Sequence, residues 1–493
     1  MNTHRVALAS NARTSSSGKR ISRMGVENAL SAAVVIGLNL WISIFSDLDS
    51  HAVQCFAVGS LVALGGKLLL GPCLQVSNLT IPAMFLMAYF CLMALPSLMI
   101  YSEMDHWARS NYLWCIQSVL VTFPVGVLLA TSCFSDSRKR VAAYAADRLH
   151  ITAGDVAFRR IVYLVFWIAC GVAGVYIAVS EFIPIMKLFV DYSAEIDDLS
   201  LRFSVSELPR ALLFALAISR SLLIPLCMLY LYFMWVAGGG IWRRDFLFVF
   251  ITGMIIACLS LERAPAMVLC CMLLFGVAIA NTQRLFRVKA IRAYATVASI
   301  ALVVTGLISA IQYDSEADLG EVQDGVHHVV VNRILLASAR TSAMAFEYFP
   351  TADRQLRGQY IRMFCLLTGR EYLESRYAPR LVILPVSFVG DLWRNWGWPA
   401  VLLGGLIAGF GTQAVQVALL RRKSVISAVF QAILILVWIW LIPGNAFGIV
   451  TTSLLLCSSV GGYWAIGKSL GFTIQNQQMP QRTTQPTSAR VAA

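Results

Sequence analysis

The sequence predicts an all-α polytopic membrane protein of about twelve transmembrane helices, and three observations carry that reading. The 493-residue chain is 58% apolar and only 13% charged, against the roughly 25% charged of an average soluble domain. Its apolar residues gather in runs of about 16 to 25, near the ~20 residues that a helix needs to span a bilayer. Its basic residues cluster between alternate runs, as the positive-inside rule requires of cytoplasmic loops. At roughly 150 residues per domain the length would admit three soluble domains, yet no linker-like boundary divides the chain.

Residues 1–27 form a Ser-rich, basic tail (Arg5, Arg13, Lys19, Arg20, Arg23). No short apolar region with a small-residue cleavage site follows it, so it reads as a cytoplasmic tail rather than a cleaved signal peptide. Spans 1 to 9 are predicted at 28–45, 52–70, 79–101, 112–134, 161–180, 211–236, 245–260, 266–281 and 293–312, and spans 10 to 12 at 396–419, 425–442 and 445–467. Starting inside, the cytoplasmic connections carry Arg138, Lys139, Arg140, Arg148, Arg159 and Arg160, then Arg243 and Arg244, then Arg284, Arg287, Lys289 and Arg292, then Arg421, Arg422 and Lys423, and finally Lys468. This bias is an orientation signal, and it removes nucleic acid as the reading of the +13 formal charge. The connection 71–78 has no charge, and the short spans 245–260 and 266–281 together also read as a hairpin with its tip at Leu261 to Pro265.

Two long connections face outward, 181–210 and 313–395. The second begins acidic and then holds eight arginines against Glu347, Asp353, Glu371 and Glu374 over residues 325–380. Residues 468–493 read as a cytoplasmic tail with a disordered end. Ten of the twelve cysteines lie in apolar runs and only Cys73 and Cys365 in connections, so no disulfide or CxxC ligand set is available outside the membrane.

No ATP-driven engine is encoded, because Gly65, Gly66 and Lys67 are preceded by Leu61 and followed by Leu68 where a phosphate loop needs Gly and Ser or Thr. HExxH, GxSxG and a post-strand GxGxxG are also missing. The arginines are the better lead, since a guanidinium grips phosphate oxygens bidentately and keeps its charge in a partly dry site. Arg333, Arg340 and Glu347 are spaced by seven; on a helix each turns only about 20° from the last and lies about 10.5 Å further along. The plainer reading is the solvated face of an amphipathic helix that buries Ile334, Leu335, Phe346 and Phe349.

Arg263 stands at the tip between the short spans, where it either meets a lipid-linked phosphate or snorkels beside Glu262. Arg220 lies about ten residues, or about 15 Å, into its span, a costly place for an ionisable group unless it is paired or lines a wet cavity. His327 and His328 are the histidines of the long loop and candidates for a general base. Asp47 and Asp49 suit a divalent metal weakly and a polar turn better. Gly404, Gly405, Gly409 and Gly411 give the tenth span a face for close helix packing.

About twelve spans, one long Arg-rich outward loop late in the chain and then a Gly-rich span resemble the Wzy-type O-antigen polymerases, the polysaccharide repeat-unit polymerases of Gram-negative inner membranes. The residues that carry the resemblance are Asn332-Arg333-Ile334-Leu335, Phe346-Glu347-Tyr348-Phe349-Pro350, Leu356-Arg357-Gly358-Gln359-Tyr360 and Phe388-Val389-Gly390-Asp391-Leu392-Trp393-Arg394-Asn395-Trp396-Gly397-Trp398-Pro399, running into Gly404-Gly405 and Gly409. It implies a GT-C-like membrane glycosyltransferase with a periplasmic loop at 313–395, needing no metal or other cofactor, that acts on undecaprenyl diphosphate-linked oligosaccharides beside a possible chain-length regulator. Arg263, Arg333 and Arg340 would then neutralise the leaving diphosphate, with Arg202, Arg210 and Arg220 as second candidates. Glu347, Asp391, His327 or His328 would be the base for the acceptor hydroxyl. The Arg-then-ten-then-Gly pattern of some members is missing from the body of both outward loops, and its only match near them, Arg394 to Gly405, runs into a span.

Three other readings stay open. An O-antigen ligase would share the topology and transfer glycan to a lipid A core. A metal-using transferase would rely on Asp47 and Asp49. A flippase or secondary transporter would show internal repeats and midplane helix breaks, and the sequence shows Arg220 and Pro225 in one span with no paired broken segment.

Overall fold

In the computed structural model, residues 25–44, 46, 48–180, 209–259, 263–282, 288–312, 336–349, 356–357, 365, 387–420, 422–444 and 461–462 are described. Among them the regular structure is helical, joined by one isolated bridge between His150 and Ser424. Helices are named in chain order: α1 (Gly25–Ile44), α2 (Ser50–Leu70), α3 (Ile81–Tyr101), α4 (His106–Cys133), α5 (Ser137–Ala146) and α6 (Ala153–Val179). After them come α7, which starts at Arg210 and ends at Gly238, α8 (Arg243–Cys258), α9 (Arg263–Ala280) and α10 (Val288–Gln312). The last are α11 (Ala337–Tyr348), α12 (Phe388–Trp396), α13 (Trp398–Leu419) and α14 (Val425–Leu441).

Seven of these helices, α1 to α4, α6, α7 and α13, are long and apolar enough to cross a membrane, and shorter apolar helices lie at Pro265–Ala280, Ala290–Ala301 and Val425–Leu441. The chain is a helical membrane protein by length and composition. Apart from Gly461 and Gly462, the predicted span 445–467 lies outside the described residues.

Packing follows the side chains. Every residue of α14 from Val425 to Trp438 is buried, the pattern of a helix that is apolar all round and therefore central. Its Gln431 donates to Leu79 O at 2.7 Å, and Gln416 of α13 accepts from Ile81 N at 2.9 Å, so two buried amides satisfy the turn that starts α3. α4 and α13 cross at very short range. A Cβ on Gly409 would lie 2.1 Å from Phe123 O and one on Gly126 would lie 2.1 Å from Leu406 O, so these glycines let two backbones touch.

Two helices carry a π turn near their middle while remaining continuous, so Pro225 has a counterpart in a distorted span although neither helix is broken. α3 contains a π turn at Phe90–Ala94 just before Pro96, and α7 contains one at Ser219–Leu223 just before Pro225. Proline lacks an N–H and its ring clashes with the carbonyl four residues back, here Leu92 and Ser221; the extra residue of a π turn relieves that crowding. The loosened Ala94 carbonyl accepts from Ser97 Oγ at 2.7 Å and Gln117 Nε2 at 3.1 Å.

Loops assigned to one side by their charge meet one another. At one end of the bundle Glu27 pairs with Lys67 at 3.1 Å and accepts from Val76 N at 2.8 Å and Ser77 N at 3.2 Å, which brings a charge to the uncharged 71–78 connection. Lys423 Nζ donates to Thr282 at 2.9 Å, and Asp155 accepts from Ile426 N at 2.9 Å. At the other end Tyr101 donates to Asp49 at 2.8 Å and Arg340 pairs with Glu103 at 3.3 Å.

Candidate functional site

Phe388 to Asn395, read as the end of the outward connection 313–395, form a helix, α12, that is buried throughout those residues. Ser387 caps its start by accepting from Gly390 N at 3.3 Å. Asp391 and Arg394 lie one turn apart and pair at 2.7 Å, with Nε donating to Oδ1 at 2.9 Å and side-chain exposures of 0% and 1%. Asn395 Nδ2 donates to Asp391 O at 2.6 Å. At the far end Arg394 O accepts from Leu356 N at 2.8 Å and Asn395 O from Arg357 N at 3.0 Å, so part of the Leu356–Arg357 motif closes the open carbonyls of the helix. Charged residues can sit here because each finds its partner locally.

α11 covers α12. Phe346 stacks on Trp393 at 4.4 Å, Trp393 Nε1 donates to Phe349 O at 2.9 Å, and Ser342 hydrogen-bonds Ser387. Tyr112 of α4 donates to Ala339 O at 3.0 Å and meets Phe346 edge-on. The polar edge of α11 faces the turn between α3 and α4. There Arg340 reaches Glu103, and Glu347 Oε1 accepts from Asp105 N at 3.3 Å beside the start of α4. Arg109 Nε donates to Met104 O at 2.7 Å, and its guanidinium lies 5.8 Å from the Tyr101 ring.

Of the residues read from the sequence, the structure brings Arg340 and Glu347 to one turn, and it encloses Asp391 in the neighbouring helix α12. The first two reach the 102–105 turn from α11 as one stripe, and Phe346 and Phe349 take the buried side. Arg220 lies elsewhere, buried at 8% exposure within the π turn of α7, against which α9 packs. Arg210 opens α7 and Arg263 opens α9; their side chains, with Arg202, Arg333, His327, His328 and Asp47, lie outside the described part of the chain. Among the described residues no group of three His, Cys, Asp or Glu side chains gathers as metal ligands do.

Asp49 is a cap. It accepts from Ala52 N at 2.7 Å at the start of α2. That N–H is the main reason its carboxyl is held below the ordinary 3.8; slight burial opposes it, and the Tyr101 hydroxyl and the charges of His51 and Arg109 lower it further. A carboxyl depressed in the folded state stabilises it fully well above its unfolded value and ceases to do so as pH falls through the folded one. The stability gap between wild type and Asp49→Ala is thus expected to be constant near neutral pH and to close below pH 3.8. Asp49→Asn, which caps as well without titrating, should show no such closing in the same melting series.

Glu103 and Arg109 escaped the sequence reading, and Arg394 and Asn395 entered it only as motif residues, with no sign that they lie buried on a helix. The available signal was Ser387 four residues before Asp391, then Gly397-Trp398-Pro399, a start and stop for a short helix. Gly397 makes the turn into α13 with φ of 70°, where a side chain would be strained. No protein family, curated protein or solved structure matches the chain.

Proposed function

We propose that the chain is a membrane-embedded glycosyltransferase that polymerises undecaprenyl diphosphate-linked repeat units into O-antigen or another exported polysaccharide, at the face carrying α11. The observation in its favour is the α11–α12 corner. A half-exposed arginine and carboxylate, Arg340 and Glu347, project side by side to the 102–105 turn from α11, which packs on a buried helix carrying an internal ion pair. In the proposed reaction the acceptor hydroxyl oxygen bonds to the anomeric carbon of the growing chain while the bond from that carbon to the diphosphate oxygen breaks. Glu347 takes the hydroxyl proton, and guanidinium groups meet the charge that grows on the leaving diphosphate. Arg340 is the candidate that lies at this corner; Arg263 and Arg333, with Arg202, Arg210 and Arg220 as second candidates, are the others. Asp391, committed to Arg394 and enclosed, serves this reading as a positioning residue rather than a base.

The test is the lipopolysaccharide pattern of the source organism after deletion of the gene and complementation. Deletion should abolish the long-chain ladder and keep a core-plus-one-unit band; an unchanged ladder would sink the reading. Arg340→Ala should fail to restore the ladder at wild-type protein level, because the Arg340–Glu103 pair is half exposed and such pairs contribute at most ~1 kcal/mol.

A second reading, a lipid-linked oligosaccharide flippase or other transporter, is favoured by the π turn before a proline in two spanning helices, one of which carries buried Arg220. Loss of every glycan-bearing band on deletion, with the lipid-linked unit accumulating inside, would favour it.

A further inference from the structure

The arginines that orient the chain also build a site. On the basic face a cavity of about 580 Å³ is lined by Val156, Ala157, Arg159, Arg160 and Tyr163 of α6. The guanidinium of Arg159 lies 4.7 Å from the Trp242 ring and 5.4 Å from the Tyr163 ring, which holds it between α6 and the start of α8. Tyr163 donates to Asp245, and Arg243 lies 6.0 Å over Trp235. The charges that line the cavity are thus Arg159 and Arg160, with Asp245 held by the lining Tyr163. Asp155, on the same helix, turns inward to Thr152 and Ile426. Both lining arginines are exposed.

Above the arginines the same helix presents Leu164 and Trp167, each 61% exposed, and Val175. A Cβ on Gly171 or Gly174 would meet nothing within 4 Å. An apolar track therefore leads from a cationic, aromatic-walled pocket along the outside of a spanning helix. A free anion needs only the pocket; a phospholipid uses both, with its phosphate on the guanidinium groups and a chain along the track.

We propose that this cavity binds the headgroup of an anionic phospholipid, seated on Arg160 and Arg159 with an acyl chain along α6. The site is separate from the α11–α12 corner and does not depend on the proposed polymerase activity.

The full chain, purified in detergent, is titrated with phosphatidylglycerol, phosphatidylcholine and inorganic phosphate while retained lipid is read by native mass spectrometry and stability by melting. Phosphatidylglycerol should bind and raise the melting temperature, and phosphatidylcholine and phosphate should not. With about 1 kcal/mol per basic residue near an anionic surface, Arg160→Gln should weaken binding about fivefold and the Arg159→Gln/Arg160→Gln pair about 25-fold. Lys139→Gln, exposed on the same face in α5, should change nothing. Equal binding of phosphatidylcholine, competition by phosphate, or an equal loss from Lys139→Gln would each overturn the proposal. Unchanged binding in the double variant would overturn it too.

Discussion

Asp391→Ala is expected to lose about 3–5 kcal/mol of stability, the cost of removing one partner of a buried ion pair. The carboxylate it deletes faces a guanidinium with 1% exposure, so the positive charge of Arg394 would stay enclosed without its nearest counter-charge. Replacing both partners by apolar residues of similar size, as in Asp391→Leu/Arg394→Met, removes the charge with its partner. Such a change is often neutral or stabilising. Melting of the detergent-purified proteins separates the two cases: the single variant should melt far below wild type and the double variant close to it. If both melt alike, the pair does not hold α12 as argued. The double variant also tests the site, because a restored fold with a lost polysaccharide ladder would identify the pair as positioning Glu347 and Arg340 through α11.

Gly409→Leu should be as damaging, for a different reason. Overpacking a core usually costs about 1–3 kcal/mol, because side chains shift to make room. At Gly409 the obstacle is a backbone oxygen 2.1 Å from the new Cβ, and the only relief is to part α13 from α4. The cost should therefore reach or exceed the upper end of that range, with much of the protein recovered as aggregate in size-exclusion chromatography. Gly65→Leu is the control, since a Cβ there meets nothing within 4 Å, and it should elute and melt as wild type. If Gly409→Leu does the same, the close crossing of α4 and α13 is wrong.

That crossing shows what was legible in advance and what was not. The Gly404, Gly405, Gly409 and Gly411 spacing announced a close-packing face, because helical periodicity makes a face visible in one dimension. It did not announce Phe123 and Gly126 of α4 as the partner. Arg340 and Glu347 were likewise legible as one stripe, whereas their reach to Glu103 and Asp105, more than two hundred residues earlier, was not. Proline at positions 96 and 225 was in plain view, yet only Pro225 was singled out, since a proline in a helix distorts it or not according to its neighbours. Pro124 sits inside an unbroken α4.

The membrane class, the apolar helices and the grouping of loops by charge follow from sums over neighbouring residues: hydropathy over about twenty positions and basic charge between them. Local chemistry of that kind needs no knowledge of the path of the chain. The burial of α12 is of another kind. An Asp, an Arg and an Asn in nine residues read as a solvent-facing loop, because the transfer cost of each is counted separately. In the fold Asp391 is paid back by Arg394 one turn away, and the helix carbonyls are closed by Leu356 and Arg357 from a distant segment. Whether a polar residue belongs inside depends on who meets it there, and that is a property of the folded chain.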